Sequence, residues 1–510
     1  MFAFLRHILE VESVFGIGAR TDLAVIHYMK ILYICADVGI CVDRPMGAGS
    51  HIRETIVGLE KLGHEVNMLA ADCSQEAEID LSCSLPGARV VRHSWFPGIV
   101  SIKNRYGKEQ NLSQATTQPP ETASFVSSDT AISETPSSIK KSVIRKSTGI
   151  SRSQVPETTL LSQFREQTSG FIYGTFRQHL NRIEERTVYR KRFTQHFLKL
   201  VEQFQPDAVY ERYALQHHST AAICNRRNIP HVLEVNALLA EEALNQGQLY
   251  SWERKHVQDK ERHFLQYEAR RVMVVSEQLK ARIGEQFDHI AVNPNGVDVD
   301  IFSPTIDPEP VLRQYHLEDA FVLGWVGSFG PDRGLEEFLD IAAHIHIRRP
   351  DIRFLLVGDG GIKKQICQKL ENDNLTEAVI LTGRVPKQKI PAYIAAMNIA
   401  LAPYPAKGAE YFSPLKVFEY MAMGRATAAT AIGQCVDLLG NGAGLLLPPA
   451  QPEIWAKEII ALSYDKERCL EMGKLARHKV ASQYTWQHNT ERILEYIHMA
   501  IADCKSHVRT

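Results

Sequence analysis

Short apolar runs alternate with stretches of helical spacing along most of this chain, the pattern of a parallel α/β sheet. Residues 31–36 read as a strand and residues 51–62 as a helix, with Gly63 placed to end it. Residues 65–70 and 89–93 are the next strand-like runs, and the pattern resumes at 208–211, 230–235 and 271–276. After a turn-rich break near residues 293–310, a second series occupies 322–326, 354–357, 379–381, 399–402 and 444–447. Two such series predict two doubly wound domains, with ligands expected at the carboxyl ends of the strands. The chain's 510 residues suit two domains with some surplus.

The surplus lies in two places. Residues 102–170 are rich in Ser, Thr, Gln and Pro and carry few large apolar groups. Such a stretch cannot bury enough surface to offset its ordering entropy, so it is expected as a disordered insertion in the first domain. Its basic cluster (Lys140, Lys141, Arg145, Lys146, Arg152) reads as a solvated tail. Residues 171–204 follow as a basic helix, with Arg182, Arg186 and Arg190 at four-residue spacing on one face. That face reads first as solvated, and it leaves peripheral membrane contact open. At the other end, Met29-Lys30 leads straight into the first strand, so residues 1–28 are expected as an extension.

Composition narrows the class. A net charge of −1 supplies no basic field for nucleic acid. The nine cysteines contain no Cys-x-x-Cys pair and read as reduced thiols, which fits a cytoplasmic setting better than a disulfide framework. No apolar run approaches the ~20 residues of a membrane span.

The candidate chemistry concentrates in the second half. In Tyr411-Phe412-Ser413-Pro414-Leu415-Lys416, Ser413 suits an N-cap and Pro414 the first helical position. The N–H groups of Leu415 and Lys416 would then point outward as an anion site, with the Lys416 charge beside them. Glu419, further along that helix, is placed to accept hydrogen bonds from sugar hydroxyls. A second anion element is Gly327-Ser328 with Arg333-Gly334, between a strand and a helix; glycine lets backbone approach a ligand, and Arg333 offers a fork to phosphate. The loop Gly358-Asp359-Gly360 has the same placement. In the first half, Gly47 and Gly49 join a strand region to a helix, but the loop is too long for a dinucleotide fingerprint, which disfavours a nicotinamide enzyme. His51, at the start of that helix, is either a base or a histidine satisfied by its neighbours.

Together these segments resemble the retaining glycosyltransferases of family 4, also called group 1, which have the GT-B fold of two facing Rossmann-like domains. The resemblance rests on Lys30-Ile31-Leu32, residues 47–51, Gly63-His64-Glu65-Val66, Pro294-Asn295-Gly296-Val297-Asp298, Gly327-Ser328 with Arg333-Gly334, Val357-Gly358-Asp359-Gly360, Thr382-Gly383-Arg384-Val385, residues 413–424 and Tyr484-Thr485-Trp486. It implies a first domain over 29–305, a donor-binding domain over 306–485, and a last helix over 486–510 that returns to the first. It implies a donor diphosphate held by Arg333, by Gly47 and by amides near Ser413, Pro414, Leu415 and Lys416. Ribose hydroxyls would lie on Glu419 and the base near Arg384 and Val385.

Three departures from the family pattern stand out. The first of the family's paired glutamates would fall on Tyr411, with Glu410 one position off. The strand-end Arg of many members is Ser328, and Lys416 is expected to supply the missing charge. Where many members carry an acceptor-side histidine, this chain has Glu234-Val235-Asn236. The expected reaction moves a sugar from a UDP-, GDP- or ADP-sugar to a hydroxyl of a sugar, lipid-linked or other acceptor, with retention, no metal and no cofactor beyond the co-substrate. The rivals are a sugar-nucleotide epimerase and a non-catalytic sugar-nucleotide-binding protein.

Overall fold

Strand runs sealed from water on both faces form the centre of each of two sheets. The computed structural model describes residues 28–37, 40, 48–71, 88–92, 99–104, 188–245, 252–330, 333–406 and 411–507. The chain divides into a unit of residues 1–106 and 192–510 and a second unit of residues 107–191, of which residues 188–191 are described.

The first sheet has eight strands: β1 (Lys30–Cys35), β2 (Glu65–Ala71), β3 (Ala88–Arg92), β4 (Ile99–Asn104), β5 (Ala208–Arg212), β6 (His231–Val235), β7 (Val272–Val274) and β8 (Ile290–Val292). Their order is β3-β4-β2-β1-β5-β6-β7-β8. All pairs are parallel except β2 with β4 and β3 with β4, which form an antiparallel edge. Ile31, Leu32, Tyr33, Ile34 and Cys35 are fully buried, as a parallel strand covered by helices on both faces requires.

The second sheet has six parallel strands: β9 (Phe321–Val326), β10 (Ile352–Val357), β11 (Val379–Leu381), β12 (Ile399–Ala402), β13 (Ala426–Thr430) and β14 (Leu445–Leu447). Their order, β11-β10-β9-β12-β13-β14, is the doubly wound order of a dinucleotide-type fold. The period-2 alternation of β9 feeds two apolar layers: Val322 and Val326 enter one, Leu323 and Trp325 the other.

Several elements differ from the sequence reading. Strand β4 takes in residues 102–104, so the stretch read as an insertion begins inside the sheet, paired on both sides. The rest of that stretch, with its basic cluster, lies outside the described residues, as do residues 1–27. The basic helix is described over 188–204; Arg182 and Arg186 fall outside. Its apolar face, with Phe193, Phe197, Leu200, Val201 and Phe204, is buried. Strands β8 and β13 had no apolar signal strong enough to read. Strand β13 is Ala-Thr-Ala-Ala-Thr, whose small side chains fill narrow space while every residue is buried.

The chain passes between the two sheets twice. The segment 293–297 and the segment 484–486 run side by side, with a bridge between Val297 and Thr485. Gly296 lies so close to the second crossing that a Cβ there would sit 2.7 Å from the Trp486 nitrogen. The last helix, Trp486–His507, then packs Ile493, Tyr496, Ile497 and Ala500 into the core around β1. Arg271 ties it down through both oxygens of Asp503, at 2.7 and 3.0 Å.

One contact within the second domain is especially tight. A Cβ on Gly473 would stand 2.0 Å from the Gly424 carbonyl oxygen, where helix Lys466–Gln483 meets the end of helix Leu415–Ala422. Gly473→Ala is expected to lower stability by about 1–3 kcal/mol through overpacking against backbone, measured by urea unfolding.

Candidate active site

The carboxyl end of β9 gathers most of the candidate chemistry. Glycines let several backbones meet there. A Cβ on Gly358 would lie 1.8 Å from the Gly327 oxygen, so only glycine permits the loops after β9 and β10 to close on each other. The Gly327 N–H donates to the Val357 carbonyl at 3.0 Å, and the Phe329 N–H to that of Asp359 at 3.0 Å. The Asp359 carboxylate is occupied locally: it accepts from the Gly360 N–H at 2.9 Å and meets Lys363 at 3.5 Å.

Helix Leu415–Ala422 points its start at this junction and is pinned by Tyr420, whose hydroxyl oxygen accepts the Val326 N–H at 2.8 Å. Ser413 is not its cap. The helix begins one residue later than the sequence suggests, and Pro414 takes the cap position in an extended conformation. The Ser413 hydroxyl is engaged elsewhere, accepting from the Asn295 N–H at 3.0 Å and donating to Gln434 Oε1 at 2.7 Å. Among the described residues, the N–H groups of Leu415 and Lys416 have no backbone or side-chain acceptor, and they carry the positive end of the helix dipole.

Lys416 Nζ lies 3.8 Å over the Trp325 ring and 5.5 Å from the Tyr404 ring centroid, and donates to the Arg333 carbonyl at 3.5 Å. Burial first, then the positive charge of Arg333, pushes its pKa well below the usual lysine value; Glu419 pulls partly back. A Cβ on Gly327 would stand 3.2 Å from Nζ and 2.7 Å from Trp325, so the glycine makes room for the ammonium. Burial also lifts the Glu419 carboxyl to about 7, against the opposing pull of Lys387 and Lys416. Arg333 and Ser328 are exposed at the loop surface. Arg333 reaches electrostatically to Glu242 of the first domain, whose pKa burial raises and Arg333 lowers. Arg384 is exposed after Gly383, whose φ of +69° is left-handed, while Val385 packs partly into the second-domain core.

The first domain contributes a buried polar floor. Glu234, at the end of β6, is 3% exposed. Its Oε1 faces His51 Nε2, accepts from Asn236 Nδ2 at 3.0 Å and meets Arg212 at 3.6 Å; its Oε2 accepts from the Tyr33 hydroxyl at 3.3 Å. Burial would raise this carboxyl, but His51, Arg212 and Asn236 outweigh it and hold the pKa at about 2. His51 Nδ1 lies 2.7 Å from Asn295 Oδ1, so both ring nitrogens are engaged and the reading of a satisfied histidine fits better than a free base. Gly49 is buried in the first turn of helix Ala48–Lys61. Gly47 and Glu410 lie outside the described residues.

Two features escaped sequence reading. Tyr411 is 4% exposed and inserts among Leu233, Val235 and Val274 of the first domain, with Arg282 5.0 Å over its ring. It joins the domains at the position where the family resemblance expects the first of the paired glutamates. Lys387 pairs with Glu54 of helix Ala48–Lys61 at 2.9 Å, beside the Arg384–Val385 loop. Neither charge stands out in its polar local sequence, and no spacing links positions so far apart.

Among the described residues, no group of three or more His, Cys, Asp or Glu could hold a metal, and no helix is long and apolar enough to cross a membrane.

Comparison with known proteins finds two family models on this chain: "Glycosyltransferase Family 4" over residues 157–301 and "Glycosyl transferases group 1" over residues 320–465. The chain is 26% identical over 216 residues to a 2-deoxystreptamine glucosyltransferase of Streptomyces kanamyceticus, covering 41% of this chain and 54% of the relative. It is 24% identical over 235 residues to a GDP-mannose-dependent phosphatidylinositol monomannoside mannosyltransferase of Mycolicibacterium smegmatis, covering 44% and 61%. The match thus spans little more than half the length of these curated relatives. Among solved structures, a sucrose-phosphate synthase of Thermosynechococcus elongatus aligns with a TM-score of 0.62 at 17% identity, covering 93% of this chain and 100% of its own. Anabaena HepE in complex with UDP and glucose aligns with a TM-score of 0.56 at 14% identity, covering 92% and 100%. These likenesses establish the fold, GT-B.

The raised carboxyl of Glu419 has a measurable consequence. Its pKa is about 7 in the fold against about 4.3 in an unfolded chain. The folded state therefore binds more protons between those values, and the cost of the buried charge grows as pH rises through that window. Glu419→Gln is expected to raise the melting temperature relative to the native chain at pH 8 and to leave it unchanged at pH 4, read by thermal unfolding at both.

Proposed function

We propose, for a chain that belongs to the group 1, family 4 glycosyl transferases, that it moves a glycosyl unit from a nucleoside diphosphate sugar to an acceptor hydroxyl, with retention and without a metal. The observation that carries this reading is the convergence, at the end of β9, of the Lys416 ammonium and two helix N–H groups that have no acceptor among the described residues. Arg333 stands on the adjoining loop. As the bond from sugar to phosphate breaks, negative charge grows on the diphosphate, and these groups are aimed at it before it forms. Lys416 takes over the charge that Ser328 lacks. Glu419 receives the ribose hydroxyls and the loop at Arg384 and Val385 the base. The floor of Glu234, His51 and Asn236 belongs to the acceptor side. Relatives named for GDP-mannose and a structural neighbour holding UDP support a nucleoside diphosphate donor. Relatives named for phosphatidylinositol mannoside and lipopolysaccharide support an acceptor in glycolipid or polysaccharide synthesis.

A calorimetric screen of UDP-, GDP- and ADP-sugars is expected to find one that binds, with retention then shown by the anomeric NMR signals of the product. Lys416→Ala should weaken that donor about 10- to 100-fold, the worth of a charge-assisted hydrogen bond. Adding Ser328→Arg to Lys416→Ala should restore part of the loss; no restoration would refute the exchange of charges. Burial lowers the Lys416 pKa, so as pH is raised donor affinity should fall earlier than an exposed lysine would allow, and this fall should be absent from Lys416→Met, read by calorimetry over a pH series.

A further inference from the structure

The floor of the first domain and the anion site of the second are joined by one continuous run of side chains. Glu234 Oε1 faces His51 Nε2, and His51 Nδ1 faces Asn295 Oδ1 at 2.7 Å. The Asn295 amide cannot be turned the other way, because its Nδ2 donates to the Ser413 carbonyl at 3.0 Å. His51 therefore meets an oxygen at each ring nitrogen. The ring is 4% exposed and lies edge-to-face with Trp486, 5.2 Å between centroids, so solvent cannot serve as an alternative partner.

Beyond Asn295 the run reaches the ligand end of the second domain. The Asn295 backbone N–H donates to the Ser413 hydroxyl at 3.0 Å, so this one residue grips Ser413 at both hydroxyl and carbonyl. Ser413 is two residues before Leu415, the first residue of the helix with unpartnered N–H groups. The first crossing between the domains thus also orients the anion site.

We infer that His51 is a positioning residue that holds the helix at Leu415 in register with the Glu234 floor, through the chain Glu234–His51–Asn295–Ser413. It moves no proton of the substrate; its contacts at the two ring nitrogens set where the anion-binding amides stand relative to the acceptor side. This inference rests on the donor reading above and assigns the site a determinant outside the donor domain.

The test uses the full chain with UDP and GDP as probes, measured by calorimetry. His51→Ala is expected to weaken the nucleotide that the native chain binds by about tenfold, within the usual range of coupling between sites. Ile56→Ala, a cavity in the same helix, serves as the control: it should lower the melting temperature and leave nucleotide affinity unchanged. Glu234→Gln and Ser413→Ala alter the two ends of the chain. Their combined effect on affinity should fall short of the product of the single effects, because the second break finds the chain already open. Additive losses, or native affinity in folded His51→Ala, would overturn the positioning role while leaving the donor reading intact. A native chain that binds neither nucleotide would overturn both.

Discussion

A partly buried lysine with no ion-pair partner among the described residues is the constraint around which the second domain is arranged. An ammonium loses several kcal/mol of hydration on burial unless something replaces it. Here the replacement is partial: the Trp325 face, a peptide carbonyl and the distant Glu419. Around it, Gly327 removes a side chain that would crowd it, Gly358 lets the neighbouring loop close on Gly327, and Tyr420 ties the helix carrying it to β9. The cost is incurred in folding, so the charge stands oriented and weakly solvated at the end of β9, as the proposed diphosphate site requires.

The second constraint is connectivity. Each domain has its own sheet, yet Tyr411 of the second packs into the first, and the last helix completes the first domain's core. The polar links follow the same route, from Glu234 to Ser413 and from Gln434 to the Val275 carbonyl at 3.4 Å. The Glu234 floor and the start of helix Leu415–Ala422 are thus placed by shared contacts around the crossings.

The fold was legible where burial imposes a strong pattern. Strands such as β1 and β9 announce themselves because parallel strands covered on both faces need unbroken apolar runs. Strand β13 did not, because Ala and Thr can be buried as completely as Leu without reading as hydrophobic. The cluster at the end of β9 was legible through Pro414, Lys416 and the glycines, whose backbone demands are local. Ser413 was misplaced as a cap, because its partners, Asn295 and Gln434, are distant in sequence and adjacent only after folding. For the same reason Tyr411 reads as a lost glutamate in the sequence and as a domain anchor in three dimensions. Glu234 reads as a substitution until His51, Arg212, Tyr33 and Asn236 are seen around it.

The ownership of the final helix also bears on how the chain is made. Ile493, Tyr496, Ile497 and Ala500 line the core that includes Ile31, Ile52 and Ile56. A ribosome releases residue 31 long before residue 500, so the first sheet to emerge cannot finish its core until the second domain has been synthesised. Among the described residues, the apolar layers on the six-stranded sheet draw only on residues 297–484, so it can condense as it appears. Vectorial synthesis therefore favours maturation of the later domain ahead of the earlier one, which leaves the apolar side of β1 in need of protection during translation.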